Sequence, residues 1–117
     1  MKTASQKTPP LSTATLYILL ALASEDLHGY GIIQEVARQS EGSYRLGPGT
    51  LYDNLKKLMD QRFVIDSPRS ARAKDDDRRL YRLMPAGRAA LSSEIERLQN
   101  VVLTAKLRLG ERNPRNA

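Results

Sequence analysis

Apolar residues recur along this chain at helical spacing in four stretches and at strand spacing in two, with polar and breaker residues marking the joints. The first helix, about Leu11 to Ser24, is apolar nearly all round through Leu16, Tyr17, Ile18, Leu19, Leu20 and Leu22, and Ser12 or Thr13 is placed to cap it. A helix with no wet face has to be covered on both sides. Its own domain supplies one cover, and a second subunit meeting Leu16 and Leu20 is the economical source of the other. Glu25 and Asp26 open a turn that leads through His28-Gly29-Tyr30-Gly31 into a second helix, about Gly29 to Gln39, buried through Ile32, Ile33, Val36 and Ala37. Ser40 to Gly49 reads as a loop in which Tyr44 and Leu46 are short-strand or packing residues.

The breaker cluster Gly47-Pro48-Gly49 starts a third helix that ends near Arg62. Leu51, Leu55 and Leu58 form its buried stripe, and at 100° per residue Thr50, Asn54, Lys57 and Gln61 stack on a polar side that Asp53, Lys56 and Asp60 extend. Such a helix can anchor in a core while turning hydrogen-bonding groups outward; an ordinary surface helix has the same pattern. Phe63-Val64-Ile65 and the alternating Leu80-Tyr81-Arg82-Leu83 read as two strands of a hairpin, joined by the polar run Ser67 to Asp77.

Pro85 suits a helix start. The last helix, about Ala86 to Leu109, carries Leu91, Ile95, Leu98, Val102, Ala105 and Leu109 at alternating steps of four and three, the a/d pattern of a coiled-coil seam. Val101, Leu103 and Leu107 widen that surface beyond one stripe, and no later element exists to cover it, so the pattern predicts dimerisation. Gly110 ends the helix, and residues 111–117 read as a frayed tail.

Composition narrows the class. A chain of 117 residues suits one domain with a small core. A net charge of +6 and a pI of about 9.9 bias it toward polyanions, either nucleic acid or an anionic membrane surface. It has no Cys, so disulfides and thiolate chemistry are excluded. Its longest apolar run, Leu16 to Ala23, is far short of the roughly 20 residues a membrane span needs, and a cytoplasmic protein without a membrane partner is expected. The single His, His28, has no metal-ligand spacing around it. Asp75-Asp76-Asp77 face competition from Arg78 and Arg79, and Gly29-Tyr30-Gly31 lacks the third glycine and preceding strand of a dinucleotide site. No catalysis, metal or cofactor is implied.

Helix, helix, polar-faced helix, strand, strand is the order of a winged helix-turn-helix, mainly α with a small β-hairpin wing. The implied division is a disordered arm at 1–10, a DNA-binding domain at 11–85 and a C-terminal dimerisation helix at 86–110. The hairpin tip and flanks hold Arg69, Arg72, Lys74, Arg78, Arg79 and Arg82. After a candidate recognition helix, that run reads as phosphate contacts rather than as a solvated loop.

Three motifs then carry a family resemblance: His28-Gly29-Tyr30 with Ile32, Gly49-Thr50-Leu51-Tyr52 with Leu55 and Leu58, and Tyr81-Arg82-Leu83 with Gly87-Arg88 and Leu91. Together they resemble the PadR family of transcriptional regulators over about Leu11 to Leu109. The resemblance implies a winged helix-turn-helix with a C-terminal dimerisation helix, usually a repressor. It implies a homodimer on duplex DNA with a palindromic operator, and in many members a small aromatic or drug-like effector that releases the DNA. Asp53 stands where the family often has Pro or a basic residue, Met84 where a Thr usually caps the last helix, and Lys74-Asp75-Asp76-Asp77 in place of a Gly-Arg-Pro-like turn. Expected DNA contacts are Thr50, Asn54 and Lys57 at bases or nearby phosphates and Lys56 at phosphate, with Arg78 and Arg79 leading the wing set. Tyr52 is core or a backbone donor, and Tyr30 a phosphate donor or a packing residue. The rival reading is a winged-helix module for protein contact without sequence-specific DNA binding.

Overall fold

Ser12 sets the first helix: its hydroxyl accepts the N–H of Thr15 at 3.1 Å, so Ser12 rather than Thr13 is the cap and α1 runs Thr13–Ala21. The computed structural model describes residues 9–67 and 79–110, and in these the elements continue as β1 (Leu27–His28), α2 (Gly29–Gln39), α3 (Pro48–Asp60), β2 (Val64–Asp66), β3 (Leu80–Leu83) and α4 (Pro85–Leu109). The expected N-terminal arm up to residue 8, the hairpin tip at 68–78 and the tail at 111–117 lie outside the described residues.

The hairpin gains a third strand. β1 pairs antiparallel with β3 (Leu27 opposite Tyr81, His28 opposite Leu80), giving the order β1-β3-β2. Two residues are too few to show an alternation, which is why the sequence read there only as a lead into α2. β2 pairs with β3 through Val64–Leu83, Ile65–Arg82 and Asp66–Tyr81, one residue later than the expected Phe63 start. The delay follows from how α3 stops. Arg62 takes a left-handed φ of 64°, Phe63 gives its N–H to the Leu58 carbonyl at 2.9 Å, and Arg62 gives its own to Met59 at 3.0 Å, a Schellman ending.

The core gathers one face of each helix: Ile18 and Leu19 from α1, Ile32 and Val36 from α2, Leu51, Leu55 and Leu58 from α3, Val64, Tyr81 and Leu83 from the sheet, and Leu91 from α4. Burial of each large aliphatic side chain contributes on the order of 1.5–3 kcal/mol. Tyr44 and Leu46 prove to be packing residues: Leu46 is buried, and Tyr44 stacks on Tyr17 with ring centroids 5.3 Å apart.

Among the described residues, the contacts that hold α4 are at its near end. Gly87 sits so close to the sheet that a Cβ there would overlap the Phe63 carbonyl oxygen and stand 2.8 Å from Leu83 Cδ1. Arg88 Nη2 donates to the Ala23 carbonyl at 2.8 Å. Glu94 is buried and takes the Arg97 guanidinium, with Nε at 3.0 Å from Oε1. That pairing holds its carboxyl below the ordinary range; burial opposes the shift and the Leu11 N–H reinforces it. Beyond Leu98 every residue to Gly110 is exposed, and Gly110, at φ 71°, closes the helix.

Candidate nucleic-acid interface

α2, the loop after it and α3 form the helix-turn-helix, and the stripe of Leu51, Leu55 and Leu58 fixes how α3 sits. With those three leucines buried, Thr50, Tyr52, Asp53, Lys56, Lys57 and Asp60 are exposed together on the outer side. Neither the N-cap residue of α2, His28, nor that of α3, Gly47, makes a side-chain capping hydrogen bond.

Two tyrosines frame the junction of these helix starts. Tyr30, in the first turn of α2, is 70% exposed, so it is not a packing residue within the chain. Tyr52 is 43% exposed and lays its ring end over Gly29, where an added Cβ would stand 3.0 Å from Tyr52 Cζ. Tyr52 is therefore outside the core.

Asn54 is set apart from the rest of the polar side. Its Oδ1 accepts from Thr15 Oγ1 at 2.9 Å and its Nδ2 donates to the Thr50 carbonyl at 2.8 Å, so its amide bridges α3 to α1. Lys57 and Gln61 turn partly the same way, toward a cleft of about 320 Å³ that Leu11, Thr15 and Phe63 also line.

At the hairpin, Arg82 does not join the outward cations counted from sequence. Its Nε and Nη2 reach the two oxygens of Asp26 at 3.1 and 2.9 Å, and Ser67 Oγ donates to the same carboxylate at 2.6 Å. The pairing with Asp26 raises the Arg82 pKa above its ordinary value. Nothing in the sequence announced this cluster, whose members lie 41 and 56 positions apart. Arg79 is exposed and stands 3.5 Å from Asp66. Arg69, Arg72, Lys74 and Arg78 lie outside the described residues.

The expected dimer seam divides in two. Leu91 is 7% exposed and belongs to the chain's own core, against which Ile95, Leu16 and Leu20 are half-buried. Leu98 is half-buried, and Val102, Ala105 and Leu109 are exposed along with Val101, Leu103 and Leu107. Among the described residues no group of three or more His, Cys, Asp or Glu could hold a metal, and no helix is long and apolar enough to cross a membrane.

Residues 18–93 match the model of the transcriptional regulator PadR-like family. Over 86 residues the chain is 36% identical to the transcriptional regulator Rv3488 of Mycobacterium tuberculosis, covering 74% of this chain and 76% of that one. Among solved structures, a PadR family transcription regulator from Clostridium difficile R20291 superposes with a TM-score of 0.68 at 18% identity, over 84% of this chain and 99% of that one. BpsR of Bordetella bronchiseptica, whose DNA binding is regulated by 6-hydroxynicotinic acid, superposes with a TM-score of 0.66 at 19% identity, over 93% and 75%. At those identities the two structures speak for the fold.

Proposed function

This chain belongs to the PadR-like family of transcriptional regulators, which are not enzymes, and from that premise we propose that it is a repressor binding a palindromic operator as a homodimer. The observation that carries the reading is the outer side of α3, where Thr50, Tyr52, Lys56 and Lys57 are exposed over a fully buried leucine stripe beside the hairpin. α3 enters the major groove, with Thr50 near base edges and Lys56 and Lys57 at flanking phosphates. Tyr30 and Tyr52 give their hydroxyls to phosphate near the N-terminus of α2. Arg69, Arg72, Lys74, Arg78 and Arg79 of the wing neutralise the adjacent backbone. Asn54 contributes by holding α3 against α1.

The second subunit covers the exposed far half of α4, where Leu103 is 59% and Leu109 68% exposed. Residues 11–85 thus act as the DNA-binding unit and 86–110 as the dimerisation helix. Two-fold symmetry implies half-sites about one helical turn, roughly 34 Å, apart. An effector that releases the DNA is part of the proposal, supported by the regulation of BpsR by a small aromatic acid. Such a role implies a cytoplasmic protein.

One observation favours the rival, a winged helix used for protein contact: Asp53 and Asp60 offset Lys56 and Lys57 on the outer side of α3. Anisotropy titration separates the two. Tighter binding to a palindromic promoter fragment than to random duplex is expected; equal binding of both sinks the regulator. Genome-wide capture of bound DNA then yields the operator.

A further inference from the structure

We propose that Asp26 is a positioning residue for DNA binding, one that fixes the wing against the helix-turn-helix without touching DNA itself; this rests on the regulator reading above. Asp26 lies on neither α3 nor the hairpin. It sits in the turn between α1 and β1, with its side chain only 11% exposed. From there its carboxylate grips both legs of the wing. Arg82 comes from the middle of β3 and binds through two nitrogens, a paired geometry that resists rotation as well as separation. Ser67 comes from the other leg, immediately after β2, and is itself buried. The legs are also tied to each other there, the Ser67 N–H donating to the Leu80 carbonyl at 2.8 Å.

The next residue, Leu27, pairs with Tyr81 of β3, and α2 begins at Gly29, under Tyr52 of α3. One short stretch, Asp26 to Gly29, therefore sets the wing legs on one side and the seat of α3 on the other. α3 runs directly into β2 through Arg62 and Phe63, and the Asp26–Gly29 stretch adds a second tie between the helix and both wing legs, whose one charged anchor is the Asp26 carboxylate. Arg82, held there, serves orientation rather than phosphate contact. A sheet of two- to four-residue strands has few ladder bonds with which to hold such a pose unaided.

The test is the salt dependence of duplex binding by the full chain, read by anisotropy on a fragment that the wild type binds. Each phosphate contact contributes about 0.9 to the slope of log affinity against log salt. Asp26→Asn is expected to weaken binding about tenfold and make the slope shallower by about 1 to 2, as wing contacts are lost. Arg79→Ala alone is expected to remove about 1, and Asp26→Asn with Arg79→Ala to be little shallower than Asp26→Asn by itself. A lowered melting temperature with an unchanged slope would reduce Asp26 to a stability residue and overturn the proposal. A steeper slope would overturn it too, since Arg82 would then have been freed to reach phosphate. Should Asp26→Asn fail to fold, Ser67→Ala releases one leg only, and its slope is judged by the same criteria. A wild type that binds no duplex at low salt overturns the regulator reading and this inference together; a wild type that binds, beside variants of unchanged slope, overturns this inference alone.

Discussion

The ring end of Tyr52 rests on Gly29, filling the space between the second turn of α3 and the start of α2. The contact orients an exposed tyrosine without burying it. Because the atoms in the way are the far end of a flexible side chain, Gly29→Ala should leave the fold intact, costing about 1 kcal/mol, the low end for overpacking. It should push the Tyr52 hydroxyl aside and weaken DNA binding several-fold. Tyr52→Phe should weaken binding similarly with no change in melting. Full DNA affinity in both variants would remove Tyr52 from the interface.

Gly87 gives the opposite outcome. A Cβ there meets the Phe63 backbone, which cannot rotate away. Gly87→Ala should destabilise the chain by about 2–3 kcal/mol, read as a lower midpoint in urea with the slope unchanged.

Asn54 and Lys57, neighbours on the same side of α3, should behave differently. Lys57→Glu should weaken binding to all duplexes alike and leave stability nearly unchanged. Asn54→Ala removes the bridge to Thr15 and should cost about 1–2 kcal/mol in stability. Any change of sequence preference in that variant would follow from a shifted α3. A preference change at unaltered melting would instead make Asn54 a direct base reader.

That difference shows what the sequence could and could not convey. Leu51, Leu55 and Leu58 repeat at helical steps, so α3 and its buried stripe were legible from spacing alone. The alternation of Leu80 to Leu83 gave β3 its bounds in full. A helical projection groups Asn54 with Thr50 and Lys57, but it carries no trace of α1 crossing at that point. β1 is too short to have a period, and Asp26, Ser67 and Arg82 meet only through tertiary structure. Leu91 fell on the coiled-coil seam because the repeat continues unbroken across the place where α4 leaves its own core.

The far half of α4 offers a direct check on assembly. Leu103→Glu puts a charge on a side chain that is 59% exposed and outside the core among the described residues. It should sediment as a monomer where the wild type sediments as a dimer, and lose at least about tenfold in operator affinity as paired half-site binding is lost. An unchanged dimer would move the interface elsewhere.

Glu94 predicts an acid response. Its native carboxyl is held below the ordinary value, first by Arg97, so the folded state binds that proton less readily than the unfolded chain. The stabilisation is fully present above the unfolded-chain value of about 4.3 and is lost as pH falls through the lower native value. Glu94→Gln should therefore be less stable than wild type at neutral pH, with the gap closing below about pH 4. Parallel stability curves for the two proteins would contradict it.

If the proposed homodimer forms through it, the uncovered stretch of α4 from Gln99 to Leu109 would link regulation to abundance. In the proposed homodimer, a cell making few copies of the chain would hold most of them as singles that grip DNA poorly. Well below the dissociation constant the paired form grows with the square of chain number, so a rise in synthesis would silence the controlled gene more than in proportion. A greasy lever left bare on one molecule would thus act, across the population, as a threshold.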